Sequence, residues 1–559
     1  MRPLHVRYFW WLLAPACLVL CAAYPTFDAL LGLSYAPLGR DQGIFQYTAW
    51  ALRNGQRMYT DFHEINGPFP HAMHWLFQLL GGETDKAFRR LDIYVTLATY
   101  FWIGTRIPRE GSPRGSRWAW GLAASLCFGS QYVSLGWWHT AQREHYFTLL
   151  IGLAIGALLP ELREAAPSTR KVRLARWFVA GVCIAAPCFG KPTCAAYVGL
   201  FVVAAFWLQR RRTPERVFER QNIVAFAAGL VVVSLGFLAF IVRHGDLAGC
   251  WKYVVVETTR FHRYFWLQSL RECYFAYGNA PRLNIAFVTL VLVLVVAARK
   301  NAPSHVALAA VPLVGGLVTY FAQQKGFAYH LHPVTFGTRL VWLLLVEHWA
   351  SSLSTVRLRE LPKERCVSLI CVLGLTVWYA NGDASCADSR NPLWRSGEES
   401  ELQHLRHFRS RDFQPDSIVE AAEYLKATLQ PNDRVQLYGF DPYLLFRARK
   451  LSASPFIYSF DLQARSVLES KKVALSSETR SWIETLLAEN REALAENLNH
   501  ALPAAFVFID RTPFDYPDDA QADFAACCVK ANALVEQHYR PARQFGTVRV
   551  WLRKELSPE

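Results

Sequence analysis

No two cysteines stand in C-x-x-C spacing anywhere in the sequence, although 13 cysteines occur in 559 residues. Cys17, Cys21, Cys127, Cys183, Cys188, Cys194 and Cys371 fall inside apolar runs, where a thiol behaves as a small hydrophobe. Cys527-Cys528 is a vicinal pair, which is poor disulfide geometry. A disulfide framework and metal–thiolate chemistry are thereby excluded. There is no internal repeat and no low-complexity tract, which argues against the duplicated halves of many transporters. No basic run is interleaved with stacking aromatics in a soluble stretch, so the net charge of +15 does not point to nucleic acid. The first apolar run lacks a small-residue cleavage pattern and reads as a span, not a removed signal. Methionine is scarce, at 3 residues.

What the chain has in quantity is hydrophobic length. It is 52% hydrophobic and 14% aromatic. Apolar runs lie at about 9–33, 91–105, 118–136, 145–160, 177–190, 193–208, 222–242, 284–298, 305–322, 331–350 and 366–380, which reads as roughly eleven spans of a polytopic α-helical membrane protein. Gly190-Lys191-Pro192 interrupts what would otherwise be one long span over 177–208. Basic residues gather in alternate loops: Arg2 and Arg7, Arg106, Arg109, Arg114 and Arg117, Arg163 to Arg176, Arg210 to Arg220, Arg299-Lys300, and Arg357, Arg359, Lys363 and Arg365. The positive-inside bias puts the N-terminus in the cytoplasm, and eleven spans then leave the C-terminal segment outside.

The first outer loop, about 34–90, predicts two surface helices. Ile44, Tyr47, Thr48, Ala51 and Leu52 recur at helical spacing after Asp41, and Asn54-Gly55 ends that helix. Pro68-Phe69-Pro70 opens the second, with Met73, Leu76, Phe77 and Leu80 on one face and Gly81-Gly82 at its end. From about 381 the apolar runs shorten and charge becomes frequent. Asp416–Leu429 reads as an amphipathic helix, and 434–440, 505–509 and 547–552 as strands, of a soluble α/β domain. The expected division is a transmembrane domain over 1–380 and an extracytoplasmic domain over 381–559.

Four islands of charge border the apolar runs on the outer side. They are Arg40-Asp41 with Tyr59, Asp61, His63 and Glu64; Trp137 to His145 with Arg143-Glu144; Lys191; and Gln323 to Pro333 with Lys325, Tyr329 and His330. Ionisable residues at membrane depth are costly and mark functional sites by default. These types allow transfer from a phosphate-activated donor. A carboxylate, Asp41, can take a proton from an acceptor hydroxyl. Arg143, Lys191, Lys325 and His330 can hold a phosphate as it leaves. Arg143-Glu144 can equally be an orienting pair. No pair has metal-ligand spacing, and Asp61-x-His63-Glu64 is too short a signal, so no metal ligand is assigned; a divalent cation is compatible but not indicated.

The layout resembles the GT-C superfamily of polyprenyl-phosphate-sugar-dependent glycosyltransferases, which includes protein mannosyltransferases and the lipid A aminoarabinose transferase. Gly39-Arg40-Asp41-Gln42-Gly43 carries the resemblance, with Asn54-Gly55, Met58-Tyr59-Thr60-Asp61, Pro68, Gln142-Arg143-Glu144-His145, and Lys325-Gly326 with Tyr329-His330 and Pro333. It covers about 1–380 and is weak over the tail. The resemblance implies a GT-C-type bundle, with Asp41 as the catalytic carboxylate and inverting transfer from a polyprenyl-phosphate sugar. It further implies a lipid, glycan or protein acceptor and residence in a bacterial inner membrane with a periplasmic tail. Many relatives have Asp-Glu where this chain has Asp41-Gln42, which leaves Asp61 or Glu64 to supply a second carboxylate. Arg40, Tyr59, Arg143, Glu144, Lys191, Lys325, Tyr329 and His330 are the expected substrate-binding residues.

Each has a plainer role beside this one. Asp41 can be a helix cap, although capping alone needs no Arg40 beside it. Asp61 and Glu64 can be a solvated loop face, Arg143-Glu144 a structural ion pair, Lys191 a snorkelling side chain, and Lys325 and His330 part of a solvated turn. The rival functions are a transporter or lipid-linked-sugar flippase, and a non-catalytic receptor or assembly partner on the same fold. Charges clustered at one face favour the enzyme.

Overall fold

A computed structural model of the chain describes residues 9–108, 114–163, 169–212, 220–298, 305–354, 363–385, 399–470, 472–513 and 517–556. The loop cations Arg2, Arg7, Arg109, Arg216, Arg299, Lys300, Arg357 and Arg359, and much of the junction after 381, lie outside these residues. The chain divides into two compact units. One comprises 1–36, 86–237 and 268–390; the other comprises 37–85, 238–267 and 391–559.

The first unit is a helical bundle. Each apolar run becomes a helix: Phe9–Leu33, Asp85–Thr105, Arg114–Ser134, Arg143–Arg163, Arg170–Ala185, Ala195–Arg212, Arg220–His244, Ala280–Ala298, Val306–Gln323, His332–Ser354 and Lys363–Ser385. Phe9–Leu33 packs along Arg114–Ser134 and Lys363–Ser385, and Val306–Gln323 along His332–Ser354. Among the described residues, five helical segments are long and apolar enough to cross a membrane: Leu12–Leu33, Arg170–Phe189, Arg220–His244, Ala280–Ala298 and Val306–Gln323. Other helices of the bundle are less apolar because they bury polar side chains, among them Arg89, Asp92 and Thr96, His145 and Thr148, and Arg339 and Glu347.

The break at Lys191 is a consequence of Pro192. A residue before proline is pushed out of the α region, and Lys191 is extended at φ −154°, ψ 113°. Two 3-10 turns, Ala186–Phe189 and Pro192–Cys194, flank it, so the run forms two helices and turns one lysine out of both.

The second unit joins the first-loop helices to the tail. Arg40–Arg53 packs against Pro68–Gly81 and against the short tail helix Tyr443–Ala448. Gly82, at φ 94°, ends the second surface helix, where Leu76, Leu79 and Leu80 are exposed and Phe77 is buried. The tail holds a four-stranded sheet of order β1-β2-β4-β3, with β1 Val435–Tyr438, β2 Ala505–Ile509, β3 Tyr539–Phe545 and β4 Val548–Arg553. β1 and β2 are parallel and buried throughout, as expected for strands covered on both faces. β4 alternates, burying Val548, Val550 and Leu552, and pairs antiparallel with both neighbours. The amphipathic helix runs Pro415–Thr428 and buries Ile418, Ala421, Ala422 and Leu425. A further helix, Ser477–His500, was not read from the sequence. Its buried Ile483, Leu486, Leu487, Leu494 and Leu498 carry the period, and Ser476 caps it by accepting from the Thr479 N–H.

Helix Arg40–Arg53 meets Tyr443–Ala448 at Gly43, where an added Cβ would stand 2.6 Å from Tyr443 Cβ. Gly43→Ala is therefore expected to destabilise the chain by about 1–3 kcal/mol through overpacking. Thermal unfolding of the two proteins checks this, and an unchanged Tm would refute it.

Candidate functional site

The first-loop motif is built into a helix start. Gly39 is the N-cap, Arg40, Asp41 and Gln42 form the first turn, and the Gln42 side-chain oxygen accepts from the Gly39 N–H. Gln42 thereby closes the reciprocal half of a capping box. Asp41 is half-buried and stands at the helix end whose dipole favours negative charge. Arg40 is buried, and its guanidinium is spent on two carboxylates of the tail: Nε donates to Asp441 Oδ1 at 2.9 Å and Nη1 to Asp412 Oδ2 at 3.2 Å. The Asp441-Pro442 step forms a turn, and the Asp441 side chain is a buried ion-pair partner. No local signal at 441 could have linked it to position 40.

Tyr59 takes a left-handed backbone, φ 65°, and its hydroxyl donates to the Asn66 carbonyl at 2.8 Å. Asp61 is half-buried and accepts from the Arg57 N–H at 2.7 Å, closing a local turn. Glu64 is fully buried, not a solvated loop residue. Its Oε1 accepts from the Asn66 backbone N–H at 2.8 Å. Of the expected second carboxylates, Asp61 therefore faces the surface and Glu64 the interior.

The helical unit brings together four residues from three separated segments. Arg143 and Glu144 begin helix Arg143–Arg163, Lys191 stands in the break before Pro192, and His330 lies in the 3-10 turn Ala328–Leu331. Glu144 Oε1 is the hub. It lies 3.1 Å from Arg143 Nε, 3.0 Å from Lys191 Nζ and 3.4 Å from His330 Nε2. Lys191 also donates to Gln323 Oε1 and lies 3.3 Å from His330 Nε2. Tyr329 stacks on Phe327 with centroids 5.5 Å apart and meets His330 edge-on at 4.6 Å.

The loop carrying His330 is set by backbone geometry. Helix Val306–Gln323 ends on Gln324 in the left-handed region, and Gly326 follows at φ 68°. A Cβ at Gly326 would stand 2.9 Å from Ala276 Cβ, so both the angle and the space require glycine. The Gly326 carbonyl accepts from Asn279 Nδ2 at 2.8 Å, which pins the loop. Sequence reasoning missed Gln323 as a partner of Lys191 and Asn279 as this anchor.

The cluster gathers several basic groups around Glu144. Arg143 and Lys191 share the one carboxylate of Glu144, and Lys325 is close enough to act on His330. Burial lowers the Lys191 ammonium to about 8 against the pull of Glu144. Burial, with Lys191 beside it, holds His330 well below the usual imidazole value. His330, expected among the cations, is therefore a neutral ring that offers a hydrogen bond. The arrangement can bind an anion by charge-assisted hydrogen bonds from side chains that packing already fixes.

The His145 and His332 rings are held by hydrogen bonds. His332 Nε2 bonds the His139 carbonyl at 2.9 Å, and His145 Nε2 bonds Thr96 Oγ1 at 2.8 Å.

No family model matches the chain, and no curated protein does. Two solved structures of ArnT from Cupriavidus metallidurans do. The one bound to undecaprenyl phosphate has TM-score 0.54 and 13% identity over 97% of this chain and 99% of that one. The apo state has TM-score 0.55 and 13% identity over 97% and 98%. The oligosaccharyltransferase of Archaeoglobus fulgidus, at TM-score 0.44 and 11% identity over 96% and 73%, is too distant to add to the argument. Near-complete coverage of both chains makes the likeness one of the whole architecture. The chain is an integral membrane protein that shares the fold of the ArnT structures, a helical membrane bundle with an α/β tail.

Proposed function

We propose that the chain is a membrane glycosyltransferase that moves a sugar from a polyprenyl-phosphate donor to an acceptor at the outer face of a bacterial inner membrane, with inversion. The observation that carries this reading is the cation-rich cluster around Glu144. Arg143 and Lys191 converge on Glu144 with Lys325 nearby, and fixed cationic donors of this kind suit an anionic ligand. The ArnT structure with the same fold holds undecaprenyl phosphate, which supports a lipid phosphate as that anion.

In this reaction the acceptor hydroxyl attacks the anomeric carbon and gives its proton to Asp41. The bond from that carbon to the phosphate oxygen breaks, and polyprenyl phosphate leaves with the electron pair. Arg143, Lys191 and Lys325 hold the charge that develops on the phosphate, and His330 contributes a neutral hydrogen bond. Tyr59, Tyr329 and Glu144 orient the groups that touch the donor. Arg40, Asp61 and Glu64 hold the first loop itself, through Asp441, the Arg57 N–H and the Asn66 N–H respectively. The acceptor is a lipid, glycan or protein. The test is incubation of purified protein with a panel of radiolabelled polyprenyl-phosphate sugars. Release of free polyprenyl phosphate from one donor is expected. A folded protein that binds none and turns over none would overturn the reading.

The ionisation of Lys191 gives this reading a pH signature. The ammonium is charged below about 8 and neutral above it. Affinity for polyprenyl phosphate should therefore be full at pH 7 and fall as pH rises through about 8, by about 10-fold or more for the loss of one charge-assisted contact. Lys191→Arg keeps its charge and should remove the step. Binding measured between pH 6.5 and 9.5 checks this; equal profiles for both proteins would remove Lys191 from phosphate binding.

A further inference from the structure

A second group of ionisable side chains lies in the unit that contains the tail. Glu257 ends a π-helix, Trp251–Glu257, a rare geometry that recurs at functional sites. His262 begins the 3-10 turn His262–Tyr264, and Asp461 ends the 3-10 turn Ser459–Asp461. One ligand atom from each lies within 4.8 Å of the others. His262 Nε2 is 3.8 Å from Glu257 Oε2 and 4.0 Å from Asp461 Oδ1, too far for hydrogen bonds. The three side chains are only 2–5% exposed.

Two buried carboxylates this close must share a proton or a cation. Glu257 Oε1 and Asp461 Oδ2 are buried and accept no hydrogen bond. The candidate protein cations do not meet the need. Lys252 Nζ is 3.8 Å from Glu257 Oε1, but its side chain is half-exposed. His63 Nδ1 is 3.9 Å from Asp461 Oδ2, beyond hydrogen-bond reach, and its Nε2 is engaged by the Tyr253 hydroxyl at 2.6 Å. The surroundings are dry, with Phe265 and Phe460 against the His262 ring. Burying unpaired charge of this kind is expensive.

We infer that Glu257, His262 and Asp461 bind a divalent metal ion of the zinc class. Tetrahedral zinc with bonds of about 2.0–2.2 Å needs ligand atoms about 3.3–3.5 Å apart. The observed 3.8 and 4.0 Å separations close to that with small rotations of the side chains. One nitrogen with two carboxylate oxygens selects zinc over magnesium or calcium, which take oxygen alone. His63 is placed to complete or support the set, since the Tyr253 hydroxyl lies 2.6 Å from its Nε2 and leaves Nδ1 toward Asp461. The bound ion ties the 247–267 segment to the tail at Asp461. No spacing motif signals this site, because Asp461 lies about 200 residues beyond Glu257 and His262 and the turns that carry the three are themselves irregular.

The test uses the full-length protein in detergent, stripped with a chelator and titrated with zinc chloride. About one equivalent of zinc per chain, a higher Tm on rebinding, and a zinc-edge absorption spectrum fitted by nitrogen and oxygen at about 2.0–2.1 Å are expected. Asp461→Asn and His262→Gln should each lose that equivalent. Should either variant fail to fold, the wild-type stoichiometry and spectrum still decide. Zinc bound equally by folded variants is adventitious and overturns the inference, as does a sulfur-ligated spectrum or preference for magnesium or calcium. None of these readouts depends on glycosyl transfer, so this inference and the proposed function can fail separately.

Discussion

Asp41→Asn is expected to lower the release of polyprenyl phosphate by about 10²–10⁴-fold while leaving donor affinity near wild type. The amide has nearly the shape of the carboxylate but cannot take the acceptor proton. The substitution is structurally mild. Asp41 is half-buried at the second position of its helix, and the cap is made by the Gly39 N–H with Gln42, which the variant keeps. A loss of rate with retained binding and Tm therefore reports on the base. A folded variant with full activity would remove Asp41 from the chemistry. A rate loss that follows a loss of donor binding would make Asp41 a binding residue.

Arg40 should behave in the opposite way. Arg40→Ala leaves Asp441 buried with no cation, and truncating one member of a buried pair costs about 3–5 kcal/mol. Asp412, 38% exposed, recovers its hydration and adds little. The expected result is a strongly lowered Tm, with any loss of activity following the fraction unfolded. The double variant Arg40→Met with Asp441→Leu removes both charges and should regain most of that stability, because apolar replacement of a buried pair is near neutral. A stable Arg40→Ala protein whose only defect is a weaker Kd for the donor would instead give Arg40 the direct binding role that its place in the motif suggests.

The paired readouts separate two functions of one short motif. Arg40 and Asp41 are neighbours in sequence, yet one faces carboxylates of the tail and the other is left half-buried at the helix start. The N-cap position is Gly39, whose N–H donates to Gln42, and Asp41 stands at the second helical position.

Much of this was legible because it depends on spacing along the chain. Apolar runs of span length can only become helices where backbone groups must be satisfied internally, and each run did. The first-loop helix was fixed by its apolar period and its Asn54-Gly55 stop, and the helix over 415–428 by Ile418, Ala421, Ala422 and Leu425. Pro192 disclosed the break that frees Lys191. The charged islands pointed to Arg143, Lys191, Lys325 and His330 as phosphate-holding groups and to Arg143-Glu144 as a pair, because charge at membrane depth is too costly to be casual.

Pairings between distant segments belonged to the tertiary structure alone. Glu144 acquires Lys191 and His330 only when helices almost 50 and 190 residues further along pack beside it. That contact decides which of the cluster's groups stays charged: burial lowers the lysine to about 8 and leaves the histidine neutral. The same holds for Arg40 with Asp441 and for Glu257 and His262 with Asp461. The sequence determined which residues are too polar to be where they are. Only the packing decided which of them share a neighbour, because burial and Coulomb energies depend on distances in space that residue spacing does not encode.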